Sequence, residues 1–357
     1  MSTHVHRTID VRAEDSFDLE ALSRYMSDQR ILYTGELSAR QFKGGASNLT
    51  YLISDSENRK WVMRTPPHGT KAASAHDMGR EARVLKALSP HLKQAPKVIS
   101  YCSDSQVLGR EFYLMEYLQG LILAQEIPHD LCPEPENVRA LCESMVDALA
   151  QLHTVDIQET GLADLDKGPG YVARQVNGWS QRYRAARTPD VPSAEGVMQW
   201  LADHQPDDVE HVLIHGDWRL DNLVVNDQAE IIGILDWEMS TVGDPCMDLG
   251  AAMAYWIQAN DTPEFRSLRL QPTDTPGMLT RAEVVQRYAA AMTPEVQQSL
   301  ANNWLFYEVY GLFRLAVIVQ QIWARYSSGS TTNSQFAGYG AAVHMLIARA
   351  EGLISQT

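Results

Sequence analysis

The chain has 357 residues, which is enough for two lobes that each bury a hydrophobic core of their own. Apolar residues make up 45% of the sequence and charged residues 21%, a balance typical of a globular enzyme. The formal net charge of −15 argues against nucleic acid or an anionic membrane surface as the partner, because like charges repel.

The start of the chain and its cysteines favour a cytoplasmic protein. Residues 1–15 are rich in charged side chains and lack the apolar core of a signal peptide. No uncharged apolar run approaches the roughly 18 residues that cross a bilayer. The four cysteines have neither metal-ligand nor disulfide-framework spacing, so we expect reduced thiols; they are Cys102, Cys132, Cys142 and Cys246.

The first predicted helix covers residues 16–29 and should pack on a small N-terminal lobe. Apolar side chains recur in it at helical spacing, and Ser16 with Asp18 can cap its start. The apolar positions are Phe17, Leu19, Leu22, Tyr25 and Met26.

A glycine-rich segment follows within residues 41–53. Small and polar residues separate its two extended stretches, namely Gly44, Gly45, Ser47 and Asn48. Such residues allow backbone N–H groups to approach phosphate oxygens closely. A Gly-Gly pair is also typical of a plain hairpin turn, so the segment by itself leaves both interpretations open.

Three further elements complete the predicted N-terminal part. Residues 60–64 alternate as a strand that ends in a cation, Arg64. A short amphipathic helix is predicted over residues 77–88, with Glu81 off its apolar face. Residues 111–120 indicate another strand, which runs into a glycine.

The sequence after residue 120 predicts mainly helices. An apolar stripe indicates one long helix that ends at His153, where a histidine is typically structural because the helix dipole favours a cation. Asp244 precedes Pro245, the pattern of an N-cap followed by proline, and we interpret Asp244 and Asp248 as structural. Later helices are predicted over residues 281–292, 295–326 and 336–354.

Residues 171–186 form a basic and aromatic stretch. Its distinctive side chains are Arg174, Trp179, Arg182, Tyr183 and Arg184. The cluster could face a substrate, which would then be anionic or phosphate-bearing. It could equally be an amphipathic helix with a solvated basic face, and this second interpretation is favoured.

The stretch from His215 to Asn222 has the residue types that phosphoryl transfer requires. Asp217 suits the group that orients an acceptor hydroxyl and takes its proton. Magnesium binds hard oxygen ligands and keeps several waters, so one amide and one carboxylate are sufficient from the protein. Asn222 and Asp236 fit that need, and a predicted hairpin between residues 222 and 235 returns Asp236 to the edge where Asn222 lies.

Laid beside known families, His-Gly-Asp-(four residues)-Asn at residues 215–222 and Ile-Leu-Asp-Trp-Glu at residues 234–238 resemble the aminoglycoside phosphotransferase family. Within it, residues 41–51 and the strand followed by Pro66-Pro67 are similar to the branch related to kinase-like domains fused to some acyl-CoA dehydrogenases. The resemblance implies an α+β, bilobal protein-kinase-like fold. The N-terminal lobe would be a small antiparallel sheet over residues 1–117, and the C-terminal lobe would be larger, mostly helical and cover residues 118–357.

The resemblance also implies catalytic roles. Asp217 would orient and deprotonate the acceptor hydroxyl, and His215 would brace the loop. Asn222 and Asp236 would hold Mg²⁺.

The nucleotide would be ATP. Gly44, Gly45, Ser47 and Asn48 would surround its phosphates. Arg64 would neutralise phosphate and pair with Glu81, although arginine here replaces the commoner lysine. Backbone groups near Glu116 and Leu118 would bond the adenine edge.

Three interpretations of the activity compete. The first is a kinase of a small hydroxylated molecule. The second is a nucleotide-binding scaffold without transferase activity, suggested only by Arg64. A protein kinase ranks lowest, because the Asp-Phe-Gly and Ala-Pro-Glu sequences of an activation segment are absent. The acceptor stays open among aminoglycosides, choline-like alcohols, sugars and, weakly favoured by the branch, hydroxyacyl compounds.

Overall fold

The computed structural model describes residues 8–42, 48–67 and 77–356. Its strands are β1 (Thr8–Ile9), β2 (Ser38–Phe42), β3 (Leu49–Ser54), β4 (Lys60–Thr65), β5 (Val98–Cys102), β6 (Phe112–Glu116), β7 (Leu121–Ile122), β8 (Val212–Ile214), β9 (Leu223–Val225), β10 (Ile231–Ile234) and β11 (Thr241–Gly243). Its helices are α1 (Leu19–Asp28), α2 (Met78–Leu88), α3 (Ser105–Leu108), α4 (Pro135–His153), α5 (Ile157–Thr160), α6 (Tyr171–Ala186), α7 (Glu195–Asp203), α8 (Pro245–Ala254), α9 (Pro263–Arg266), α10 (Arg281–Ala290), α11 (Pro294–Ser327) and α12 (Tyr339–Ile354).

Most predicted helices are present, and local capping explains where their ends differ from the prediction. α1 begins at Leu19 rather than at residue 16, because the Asp18 carboxylate accepts the first backbone N–H groups at 2.8 and 3.0 Å. The predicted N-cap Asp244 of α8 is confirmed, with its side chain accepting from two amides of the first turn. α6 covers the basic and aromatic stretch of residues 171–186, which agrees with the favoured interpretation of an amphipathic helix.

The described residues divide into two compact units that interleave along the chain. The first combines residues up to Ile122 with Asn222–Met239, and the second combines Leu123–Asp221 with the chain from Ser240 onward. The predicted lobes, in contrast, meet at one point in the sequence, residue 117. The hairpin of residues 222–239 groups with the first unit because β9 pairs with β7.

An antiparallel sheet of order β1-β2-β3-β4-β6-β5 forms most of the first unit. Alternation along β4 sends Trp61 and Met63 into a hydrophobic core that includes Leu22 and Met26 of α1. Arg64 therefore points to the opposite face of the sheet, where α2 contributes Glu81. Because successive side chains along a strand point to opposite faces, the apolar core and the charged side chains lie on opposite sides of the sheet.

The hairpin of β9 and β10 is closed by a side chain. The Asn226 carboxamide oxygen accepts the backbone N–H groups of Gln228 at 3.0 Å and Glu230 at 2.9 Å. In β10, Gly233 leaves room for Leu118, because a Cβ there would lie 2.2 Å from the Leu118 Cδ1. The predicted hairpin is therefore present and brings Asp236 back toward Asn222.

The second unit is mainly helical and is built around α11. This helix crosses α8 at backbone contact, since a Cβ on Gly311 would lie 2.0 Å from the carbonyl oxygen of Gly250. The close crossing sets the positions of Asp248 on α8 and Arg314 on α11. By length and composition α11 could cross a membrane, but 72% of its most apolar 18-residue window is buried inside the protein.

Candidate active site

A buried carboxylate fixes the backbone of the loop after β8. Asp248 accepts the N–H groups of His215 at 3.0 Å and of Gly216 at 2.9 Å. Gly216 has φ of +80°, a left-handed conformation that favours glycine. The turn into Asp217 thus depends on a glycine and on a carboxylate 31 residues further along the chain. The prediction that Asp248 is structural is confirmed, because its carboxylate binds the backbone of the loop that precedes Asp217.

Two side chains hold Asp248 in turn. His153, the last residue of α4, places Nε2 at 3.2 Å from the Asp248 carboxylate and Nδ1 at 2.5 Å from the Tyr288 hydroxyl. Burial by itself would raise the pKa of Asp248, but hydrogen bonds from His153 and from the His215 amide lower it below its ordinary value. These hydrogen bonds therefore favour the charged form of Asp248, and His153 has the structural role that its sequence position predicts.

Asp217 is presented by residues that pack inward on either side of it. His215 is fully buried and its Nδ1 accepts the Asp217 amide at 3.3 Å. The Trp218 ring is also buried and lies edge-on to the His215 ring, with centroids 5.7 Å apart. Asp217 remains half-buried. These contacts are those expected if His215 braces the loop and Asp217 faces a reactant.

The end of the loop is held by a residue that sequence reasoning missed. The amide of Leu220 donates to the Gln271 side-chain oxygen at 2.7 Å, and the Gln271 amide donates to the Tyr255 carbonyl at 3.4 Å. Gln271 is 1% exposed although it lies in a polar, proline-containing segment between helices. The local pattern there predicts a solvated loop, so only the packed structure reveals this contact.

Arg314 is the second residue that sequence reasoning missed. Its Nη2 donates to the Gly216 carbonyl at 2.5 Å, directly before Asp217. An arginine within the apolar run from Leu312 to Val319 is the one signal that could have indicated it. Burial would lower the pKa of Arg314, but the nearby side chains of Tyr310, Tyr255 and Asp217 raise it.

In the first unit, one guanidinium joins two predicted site carboxylates. Arg64 donates from Nη1 to Glu81 at 2.6 Å and from Nη2 to Asp236 at 3.0 Å. The predicted pairing of Arg64 with Glu81 is confirmed. Burial would lower the pKa of Arg64, but Glu81, Tyr113 and Asp236 raise it well above its ordinary value. Burial also raises the pKa of Glu81, and the charge of Arg64 opposes that rise.

The two predicted metal ligands lie at the same end of the hairpin. The Leu235 amide donates to the Asn222 carbonyl at 2.7 Å, which ties the residue before Asp236 to Asn222. Asp236 has φ of +65°, an uncommon conformation for a residue other than glycine and one that often occurs at functional sites. Its carboxylate stays about one-third exposed while Arg64 bonds one of its oxygens. An amide and a carboxylate are hard oxygen donors, so this pair fits Mg²⁺ that keeps waters and nucleotide oxygens as further ligands.

The described part of the predicted phosphate loop lies next to the metal-site segment. Asn48 is 2% exposed, and its amide donates to the Glu238 carboxylate at 3.0 Å. Arg80 of α2 donates to the Glu238 carbonyl at 3.0 Å. Both contacts anchor the chain two residues after Asp236. The other predicted phosphate-binding residues, Gly44, Gly45 and Ser47, lie outside the described residues.

The predicted adenine contacts lie at and after the end of β6. The Glu116 amide donates to the Lys97 carbonyl at 3.0 Å, and the Glu116 side chain accepts the Lys97 amide at 2.8 Å. The Glu116 N–H is therefore already used, which leaves its carbonyl and the backbone of Leu118 as the groups for the predicted contact. That contact stays a prediction.

Comparison with known proteins identifies the family. The profile described as "Phosphotransferase enzyme family" matches residues 38–283, which is more than half of the chain. The chain belongs to this phosphotransferase family. Acyl-CoA dehydrogenase family member 10 of Mus musculus is 36% identical over 334 residues, covering 92% of this chain and 30% of that protein. The chain thus spans about a third of that relative's length.

Solved structures of phosphotransferases are also similar to the chain. One, from Ralstonia eutropha, was solved as a candidate aminoglycoside phosphotransferase; it has a TM-score of 0.79 and 29% identity, covering 96% of this chain and 99% of that one. Choline kinase of Cryptosporidium parvum has a TM-score of 0.63 and 12% identity, covering 95% and 97%, so it is informative for the fold alone. The predicted α+β, protein-kinase-like fold is confirmed. Membership in the phosphotransferase family supports the activity of a small-molecule kinase.

Proposed function

We propose that the protein is an ATP- and Mg²⁺-dependent kinase that transfers a phosphoryl group to a hydroxyl of a small molecule. The observation that carries the proposal is the loop before Asp217, whose backbone is bonded to Asp248 through two amides and to Arg314 through one carbonyl. Phosphoryl transfer depends mainly on positioning and on charge stabilisation, and a rigid loop with a half-buried carboxylate supplies the first.

Different residues of the chain would have different roles in the reaction. Asp217 would accept the hydrogen bond of the acceptor hydroxyl and then its proton. MgATP would supply the phosphoryl group: the acceptor oxygen would bond to the γ-phosphorus as the bond to the bridging β–γ oxygen breaks, and ADP would leave. Asn222 and Asp236 would hold the metal, and Arg64 would place positive charge beside the phosphates.

The proposed acceptor class rests on the relatives. A relative that is 36% identical over 92% of this chain is named as an acyl-CoA dehydrogenase family member. A hydroxyacyl compound is therefore the acceptor that we propose ahead of aminoglycosides, choline-like alcohols and sugars. The fold does not choose among these, because specificity resides in the acceptor pocket.

The test is ADP formation with Mg²⁺, ATP and a panel of those four acceptor classes. Asp217→Asn should lower acceptor-dependent turnover by at least about 100-fold, since general base catalysis contributes roughly that much, while ATP binding stays within about twofold. Asp227→Asn, at an exposed position in the β9–β10 turn, is the matched control and should retain full activity. Wild-type turnover in Asp217→Asn would exclude Asp217 as the base. ATP binding with no turnover on any acceptor class would favour the nucleotide-binding scaffold instead.

A further inference from the structure

A buried cation lies next to the proposed catalytic base without a carboxylate in contact. Arg314 is 5% exposed, and its Nη2 donates to a neutral carbonyl, that of Gly216. Among the residues that the structure describes, no aspartate or glutamate forms an ion pair with Arg314. The charges of Asp217 and Asp248 raise the pKa of Arg314 without forming an ion pair with it, and Asp248 is already bonded by His153 and two amides. A guanidinium removed from water in this way is costly unless an anion binds it.

A second cation lies against the same aromatic ring. The guanidinium carbon of Arg182 is 4.6 Å from the centroid of the Trp179 ring, and that of Arg314 is 5.2 Å from it. The indole N–H of Trp179 donates to Gln175 at 3.1 Å, which fixes the orientation of the ring. Two cations near one ring repel each other, and an anion bound close to both would offset that repulsion.

The other basic residues of α6 have different partners. Arg184 pairs with Glu195 at 2.7 Å, and Arg174 donates to the carbonyl of Gly168 at 2.7 Å. Tyr183 is fully buried and donates to the Pro192 carbonyl. The predicted solvated basic face is therefore correct for Arg174 and Arg184. Arg182, in contrast, is exposed at the Trp179 ring, and no carboxylate within the described ranges pairs with it.

We propose that Arg314, Arg182 and the Trp179 ring form an anion subsite for the acceptor. The acceptor would then carry a carboxylate or a phosphate group within a few bonds of the hydroxyl that Asp217 orients. Planar guanidinium groups bind such oxyanions through paired N–H donors, and the ring supplies an apolar wall for the carbon chain between them. The subsite would disfavour polycationic acceptors by charge repulsion. This inference rests on the proposed kinase function, because it specifies the acceptor of that same site.

The first test compares matched acceptors. Hydroxycarboxylates of two to six carbons are assayed beside their hydroxyamides, and hydroxyalkyl phosphates beside the corresponding diols, with an aminoglycoside as the cationic acceptor. The anionic member of each pair should have a kcat/KM at least about tenfold higher, the scale of one charge-assisted hydrogen bond. The preferred anion, carboxylate or phosphate, identifies the group on the acceptor that the subsite binds. Equal rates within the pairs, or a preference for the aminoglycoside, would overturn the subsite while leaving a kinase.

The second test uses variants and separates binding from loop positioning. Arg182→Gln should raise KM for an anionic acceptor about fivefold with kcat unchanged, and should leave KM for the neutral analogue unchanged. Arg314→Lys keeps the charge but loses the planar fork, and should raise the same KM about tenfold. Arg184→Gln removes a charge from the same helix away from the ring and should match the wild type. Equal effects on neutral and anionic acceptors would assign both arginines to structure alone.

A binding measurement decides the subsite even if no acceptor is turned over. Inorganic phosphate and acetate are titrated calorimetrically into the wild type, Arg182→Gln and Arg184→Gln proteins without nucleotide. Weaker binding of one probe in Arg182→Gln, at wild-type affinity in Arg184→Gln, is the expected result. The same affinity in all three proteins would refute the subsite independently of the kinase proposal.

Discussion

Arg64 and Glu81 form a buried ion pair, with 2.6 Å between Nη1 and Oε1 and side-chain exposures of 10% and 1%. The second amino group of the same guanidinium reaches Asp236. A lysine has one ammonium and cannot contact two carboxylates with a planar fork, so arginine at this position does more than preserve a charge. It connects the sheet, α2 and the proposed metal ligand within one unit.

Loss of Arg64 should destabilise the first unit strongly. Arg64→Ala leaves Glu81 buried without its partner and should lower the free energy of unfolding by about 3–5 kcal/mol. In urea denaturation, the double variant Arg64→Ala with Glu81→Ala should lose less than the sum of the two single variants, because the single changes each leave a charge uncompensated. Additive losses would contradict a direct pairing.

Asp248 should control turnover without contacting a reactant. Asp248→Asn keeps one acceptor oxygen but loses the charge that two backbone amides and His153 share, so the loop before Asp217 should lose its fixed position. We expect kcat to fall by about 100-fold, the scale that a displacement of about 1 Å produces, with ATP affinity unchanged. Asp203→Asn, at the exposed end of α7, is the control. A normal kcat in Asp248→Asn would contradict a positioning role.

The contact between α8 and α11 should tolerate no side chain at Gly311. Gly311→Ala places a Cβ 2.0 Å from the Gly250 carbonyl, so the helices must separate. We expect a loss of about 3 kcal/mol or more and a fall in kcat, since Asp248 and Arg314 lie on the two helices. Gly352→Ala is the matched control, because no atom lies within 4 Å of its new Cβ. A thermal melt that ranks the two variants equally would show that the crossing is not tight.

His211 should make the stability of the second unit dependent on pH. Burial lowers its pKa, but bonds to Asp166 at 3.0 Å and Asp208 at 3.1 Å raise it above the ordinary 6.5. Because the folded pKa is the higher one, the stabilisation is complete below pH 6.5 and is lost as pH rises through the folded pKa. The pKa values of Asp166 and Asp208 are lowered, so both stay ionised over this range.

The measurement is the difference in unfolding free energy between wild type and His211→Gln from pH 5.5 to 9. The wild type should be more stable at the acidic end, by up to about 1 kcal/mol, and the difference should shrink as pH rises. The Asp208 carboxylate accepts three amides at the start of α6, so far-ultraviolet circular dichroism should report the same trend. A difference that grows with pH would contradict the assigned direction of the shift.

Local sequence determined several features of the fold and of the candidate site. The spacing of Asp217, Asn222 and Asp236 predicted the chemistry of a kinase, and the short hairpin explains why Asn222 and the residue before Asp236 are hydrogen-bonded. The N-cap of α8 followed from an aspartate before a proline, because a side chain that accepts nearby backbone N–H groups acts locally.

Tertiary structure alone decided what holds and surrounds the loop. Gln271 and Arg314 reach it from 51 and 98 residues away along the chain. Both side chains bind backbone groups, which leave no pattern in the sequence. The helix crossing at Gly311 sets the distance of Arg314 from the loop. The sequence also did not determine the contact partner of each arginine on α6. The sequence pattern of a basic face is the same whether its guanidinium groups contact Glu195, a carbonyl or the Trp179 ring. Long-range packing selects among those partners, and it depends on the whole unit.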